Sequence, residues 1–95
     1  VLGLGPGLAA MDNRRKRLLY RATHRGTKEA DFIIGGFFTE RTAALSEGEV
    51  AEAEVLLEES DIDLVNWLMN REPVPPRWQS GIFAEVLSYY RALRP

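Results

Sequence analysis

The chain contains no cysteine and a single histidine, His24. Without thiols there are no disulfides and no thiolate chemistry, and one imidazole cannot complete a structural zinc site. The lack of cysteine also suits a reducing compartment. Long apolar runs are missing too: no stretch approaches the roughly 20 residues that cross a bilayer as a helix, so no membrane insertion is expected. No serine–histidine spacing supports a nucleophile, and no glycine-rich loop cradles a phosphate. Gly3, Gly5 and Gly7 of VLGLGPGLAA have the wrong spacing for a dinucleotide loop and follow no strand. The acidic stretch lacks the ligand order of a calcium loop. These gaps predict that the chain is not an enzyme, with no catalytic residue and no metal site.

What is present is a globular composition in 95 residues, 45% hydrophobic and 27% charged, which leaves room for one core. Residues 1–10 carry no charge; they lack the basic start of a secretory signal and the arginines of an organelle presequence. Residues 1–11 are expected to be a flexible upstream extension or a cloning remnant, with Met11 a candidate native start. Residues 12–95 then form a single helical domain.

The net charge of −2 conceals a segregation. Arg14, Arg15, Lys16, Arg17, Arg21, Arg25 and Lys28 follow one another with no acid among them. Glu47, Glu49, Glu52, Glu54, Glu58, Glu59, Asp61 and Asp63 follow with no base among them. Such polarity can steer a complementary partner, although two solvated helix faces are the plainer expectation. A basic helix carrying Tyr20 has something of a nucleic-acid footprint. Against that stand the net negative charge, since phosphate contacts supply most of the affinity of such modules, and a second helix too apolar to read a groove.

After Met11 the pattern is helical. A first helix, capped by Asp12 or Asn13, turns Leu18, Leu19 and Ala22 inward, and Gly26 supplies a left-handed residue beyond its end. A second, from Thr27 or Lys28, sets Ala30, Ile33, Ile34, Phe37 and Phe38 on one stripe, with Phe32 off it. Gly35-Gly36 inside that helix implies a kink or a neighbour lying close against the backbone. Ser46 and Glu49 have the spacing of a capping box ahead of a third helix that buries Val50, Ala53, Leu56 and Leu57. The fourth, DIDLVNWLMN, begins at Ser60-Asp61 and is apolar nearly all round. It is expected to sit centrally and to be stopped by Pro73, Pro75 and Pro76. Phe83, Val86, Leu87 and Tyr90 share one face of a last helix that starts between Arg77 and Gly81. No segment alternates as a strand does. The expected fold is all-α, a compact bundle of four to five short helices.

Arg25-Gly26-Thr27-Lys28-Glu29 has two readings. As punctuation, Gly26 closes one helix and Glu29 favours the positive end of the next, reaching back from the third position if Gly26 is the N-cap. As a docking site, a glycine with no side chain lets a partner lie flat against the backbone between two opposite charges. Spacing alone favours punctuation.

Taken together, RKRLLYRATHRGTKEADFIIGGFF and LSEGEVAEAEVLLEESDIDLVNWLMN resemble the SdhE-type succinate dehydrogenase assembly factors, small five-helix proteins marked by an R-G-x-x-E motif. The likeness covers roughly Arg14 to Asn70 and is anchored on Arg25-Gly26-x-x-Glu29 and on the segment Asp63 to Met69. The last helix matches loosely and the first ten residues not at all. The resemblance implies a chaperone-like factor that binds the flavoprotein subunit of succinate dehydrogenase, or of fumarate reductase, and promotes covalent attachment of FAD to that subunit. It implies docking through Arg25, Gly26 and Glu29. By adjacency, Arg14, Arg17, Tyr20 and Arg21 on the preceding helix extend the surface. The chain is expected to hold no cofactor tightly, with direct FAD contact left open. It is also expected to be a monomer without a nucleic-acid partner, in the bacterial cytoplasm or, in a eukaryote, the mitochondrial matrix. Arg25 and Glu29 should be solvent-accessible on one face, with Trp67 and Leu68 inside. The rival expectation is a helical adaptor or nucleic-acid-binding module that uses the basic first helix.

Overall fold

In a computed structural model that describes residues 11–93, five helices follow in order: α1 (Asn13–Thr23), α2 (Lys28–Arg41), α3 (Glu47–Leu56), α4 (Asp61–Leu68) and α5 (Ile82–Leu93). Short 3₁₀ turns over Thr42–Ala44 and Pro76–Trp78 lead into α3 and α5, and no strand occurs among the described residues. The upstream segment expected from the sequence lies outside the described residues except for Met11, which is buried.

Local chemistry sets the helix starts. Asp12, Thr27, Ser46 and Ser60 each accept a hydrogen bond from the amide three residues on, satisfying one of the backbone donors that a helix start leaves unpaired. Ser46 and Glu49 complete the reciprocal capping box. Thr27, not Gly26, caps α2, so Glu29 is its second residue and does not reach back. The start of α5 is served from across the bundle, where Glu52 Oε1 of α3 accepts the Ile82 amide at 3.1 Å.

The core is built on α2, against which α1, α4 and α5 pack. Its Ala30, Ile33, Ile34, Phe37 and Phe38 are all buried, and the two phenylalanine rings meet edge-on at 4.9 Å. The glycine pair lies where neighbours come close. A Cβ on Gly35 would stand 3.4 Å from the Ala22 carbonyl oxygen of α1, and one on Gly36 only 2.8 Å from the Tyr89 hydroxyl of α5. Close approach explains Gly36, while a methyl at Gly35 would make ordinary contact.

α4 departs from expectation. Leu64, Trp67 and Leu68 face the core, but Ile62 is 74% exposed and Val65 and Met69 are only half-buried. The helix carries two apolar stripes, and one of them faces outward, so it does not sit centrally. Its end is set by Asn70 in the left-handed region at φ 59°, before the first proline, in the position where asparagine substitutes for glycine.

The segregated charges meet one another, because α3 lies against α1. Arg14 binds Glu54 through two parallel hydrogen bonds of 2.9 and 2.7 Å. Arg15 pairs with Asp12 and Glu47, both at 3.2 Å, and donates to the Leu45 carbonyl at 2.6 Å. Arg14 and Arg15 are thus paired across to α3, while Lys16, Arg17 and Glu58 stay exposed as solvated faces would. The two-pronged contact with Arg14 holds the Glu54 carboxyl below its ordinary range and Arg14 above its own.

Candidate functional site

The R-G-x-x-E segment forms the turn between α1 and α2, and both sides of the turn are pinned. On the α1 side His24, the C-cap, stacks on Tyr20 with ring centroids 3.9 Å apart. On the α2 side Asp31 Oδ1 accepts the Arg25 amide at 2.8 Å. Between them Gly26 has φ +104°, and a Cβ built there meets nothing within 4 Å. The backbone requires glycine for its dihedral angle, while the space above it stays open.

Arg25 does not lie open on the surface as expected: its side chain is only 10% exposed. Nε donates to Asp61 Oδ1 at 2.7 Å, Nη1 to the Leu57 carbonyl at 2.6 Å and Nη2 to the Glu59 carbonyl at 2.8 Å. The physical reason is the end of α3, which leaves backbone acceptors unpaired and carries partial negative charge. A planar guanidinium fork satisfies several acceptors at once. Arg25 therefore ties the α1–α2 turn to the end of α3 and the start of α4.

Glu29 is exposed, as expected, and forms no ion pair among the described residues. It lines a shallow hollow of about 200 Å³ together with Ile62 and Val65 of the outer stripe of α4 and with Arg71. A second hollow of about 370 Å³ runs between Tyr20, Arg21, His24 and Arg25. Asp61 belongs to both, so the two hollows adjoin across the Arg25–Asp61 contact. Trp67 and Leu68 are buried, as expected.

The remaining candidates lie along α1. Tyr20 is 63% exposed, Arg17 is exposed, and both join Lys16 and Arg21 around a further hollow of about 420 Å³. Arg21 also donates to the Glu54 carbonyl at 3.3 Å. Arg14 keeps 41% of its side chain exposed despite its bond to Glu54. The surface thus combines open backbone at Gly26, an unpaired carboxylate, exposed aromatic and aliphatic groups, and a partly neutralised basic ridge. Sequence reasoning missed Asp31, Asp61 and Ile62. The signal for Ile62 was legible, since Ile62, Val65 and Met69 repeat at i, i+3 and i+7 beside the buried stripe. Nothing local marked the two aspartates.

A family model described as the flavinator of succinate dehydrogenase matches residues 16–90. The chain is similar to the FAD assembly factor SdhE of Acetobacter pasteurianus, 44% identical over 62 residues that cover 65% of this chain and 57% of the relative. It is similar to the mitochondrial succinate dehydrogenase assembly factor 2 of Dictyostelium discoideum, 29% identical over 79 residues, 83% of this chain and 56% of that one. The protein of the same description from Candida glabrata is 32% identical over 75 residues, 76% of this chain and 49% of that one. The chain spans about half the length of these curated relatives.

Proposed function

This chain belongs to the succinate dehydrogenase flavinator family, and on that premise we propose that it binds the flavoprotein subunit of succinate dehydrogenase, or of fumarate reductase, and promotes covalent FAD attachment to it. The role is that of a chaperone. Bond formation takes place on the client, and this chain holds the client in a competent arrangement without keeping flavin tightly itself. It acts as a monomer in the bacterial cytoplasm or the mitochondrial matrix.

The observation that carries this reading is the exposed Glu29 carboxylate, without an ion pair among the described residues, three positions beyond the open backbone at Gly26. A client can lie against the glycine and bring a cationic group to Glu29, excluding water from the contact. Losing one partner of a desolvated charge pair weakens a complex by ~2–5 kcal/mol. Tyr20, Arg17 and Arg21 widen the contact along α1, and Arg14 adds its exposed edge. Arg25 contributes through the turn it holds. No described helix is long and apolar enough to cross a membrane.

Flavin fluorescence of the denatured flavoprotein subunit tests the reading. The subunit is taken from cells lacking this protein and from the same cells complemented with wild type or Glu29→Ala. Wild type restores covalent flavin and Glu29→Ala restores much less. Equal covalent flavin with and without the factor overturns the proposal.

A further inference from the structure

Within the R-G-x-x-E segment the two charged residues have different environments. Glu29 is exposed, whereas the Arg25 side chain is 10% exposed and its Asp61 partner 18%. The Arg25 backbone is held as well, its amide bonded to Asp31 at 2.8 Å. The arginine has therefore little surface with which to meet a partner, and its guanidinium already serves three acceptors on two other elements. Gly26 follows it directly with φ +104°.

We infer that Asp61 is a positioning residue for the docking surface: by fixing the Arg25 guanidinium against the end of α3, it sets the orientation in which the turn presents Gly26 and Glu29. Arg25 acts on the client only through that turn. Asp61 is suited to the task because it sits at the first position of α4, where its carboxylate is favoured by the helix dipole. It also lies between the hollow under Glu29 and the hollow under Tyr20, so one ion pair sets the relation between the two halves of the surface. This inference rests on the docking role proposed above for Glu29.

The test is a double-mutant cycle on binding of the purified flavoprotein subunit of succinate dehydrogenase, using full-length chains at a temperature where circular dichroism shows each variant folded. Glu29→Gln and Asp61→Asn each weaken binding about tenfold or more, and the double variant loses no more than the larger single loss, because both act through one contact. Arg25→Lys keeps the positive charge yet binds as weakly as Asp61→Asn, since a single ammonium cannot reach all three acceptors. If Asp61→Asn does not fold, Asp61→Glu, which keeps the charge but displaces the carboxylate by one methylene, replaces it with the same expectation. Binding by the Asp61 variant within twofold of wild type, with Glu29→Gln still defective, overturns the positioning role alone. So does a double variant whose loss equals the product of the single losses. Wild-type binding by Glu29→Gln overturns the docking reading and this inference with it.

Discussion

Arg25 and Asp61 stand 36 residues apart in sequence and 2.7 Å apart in the fold. Their contact joins the turn after α1 to the start of α4, and the same guanidinium closes the carbonyl end of α3. Three parts of the chain meet at one side chain.

Removing that side chain should therefore be costly for folding as well as for docking. Arg25→Ala leaves Asp61 and two carbonyls without their donor, and we expect a loss of ~2–4 kcal/mol in unfolding free energy. Urea denaturation reads it directly. A loss below about 0.5 kcal/mol would mean that the contact behaves like an ordinary surface ion pair.

Gly26→Ala isolates backbone strain from contact with other parts of the fold, because no described atom beyond the adjoining residues lies within 4 Å of the new methyl. The cost should be ~1–2 kcal/mol, the penalty of a positive φ for a residue with a Cβ, with the far-ultraviolet spectrum unchanged. If the client rests on this backbone, its affinity falls further than the thermal shift accounts for. Calorimetric titration with the flavoprotein subunit separates the two effects.

Gly36 and Tyr89 give a sharper cycle. A methyl at position 36 meets the Tyr89 hydroxyl at 2.8 Å but the ring carbons only at 3.6 Å. Gly36→Ala should lower the melting temperature in the wild-type background and displace the hydroxyl from Glu40, its partner at 3.2 Å. With Tyr89→Phe the clash disappears. The same substitution then stabilises by up to ~1 kcal/mol, the helix preference for alanine over glycine. No change of sign between the two backgrounds would place the clash elsewhere.

Two glutamates should give opposite pH responses. Hydrogen bonds from Arg14 hold the Glu54 carboxyl below its ordinary value of 4.5. A folded-state pKa lower than the unfolded one gives stability that is present above the ordinary value and is lost as pH falls through the depressed one. Burial, and then the neighbouring Glu49, push Glu85 above that value. Its contribution is present below the ordinary value and lost as pH rises through the raised one. Glu85→Gln should therefore raise the melting temperature at pH 7, and Glu54→Gln should lower it. Both differences should shrink toward zero in strong acid, which melting curves between pH 3 and 8, a range set to span the ordinary carboxylate values, will check.

Much of this protein was legible in one dimension. The stripe from Ala30 to Phe38, the capping box at Ser46 and Glu49 and the glycine after α1 all follow from the order of residues, whereas Gly35-Gly36 left a kink and a close neighbour equally open. The exposure of Glu29 and the burial of Trp67 were legible too. The environment of Arg25 was not, because its partners are the Asp61 carboxylate and two carbonyls 32 and 34 residues away. The outward stripe of α4 was overlooked because a helix with two apolar faces does not say which one is inside.

The sequence by itself determined the helices, the N-caps of the first four and the place of the left-handed turn, because those depend on atoms within about one turn of each other. Tertiary structure alone decided which charges stay exposed. The bases of α1 and the acids of α3 follow with no opposite charge among them, and any of them could have faced water. Packing α1 on α3 brought Arg14 to Glu54, seating Arg25 on the end of α3 satisfied carbonyls that would otherwise lack donors, and Glu29 was left as the exposed carboxylate of the motif.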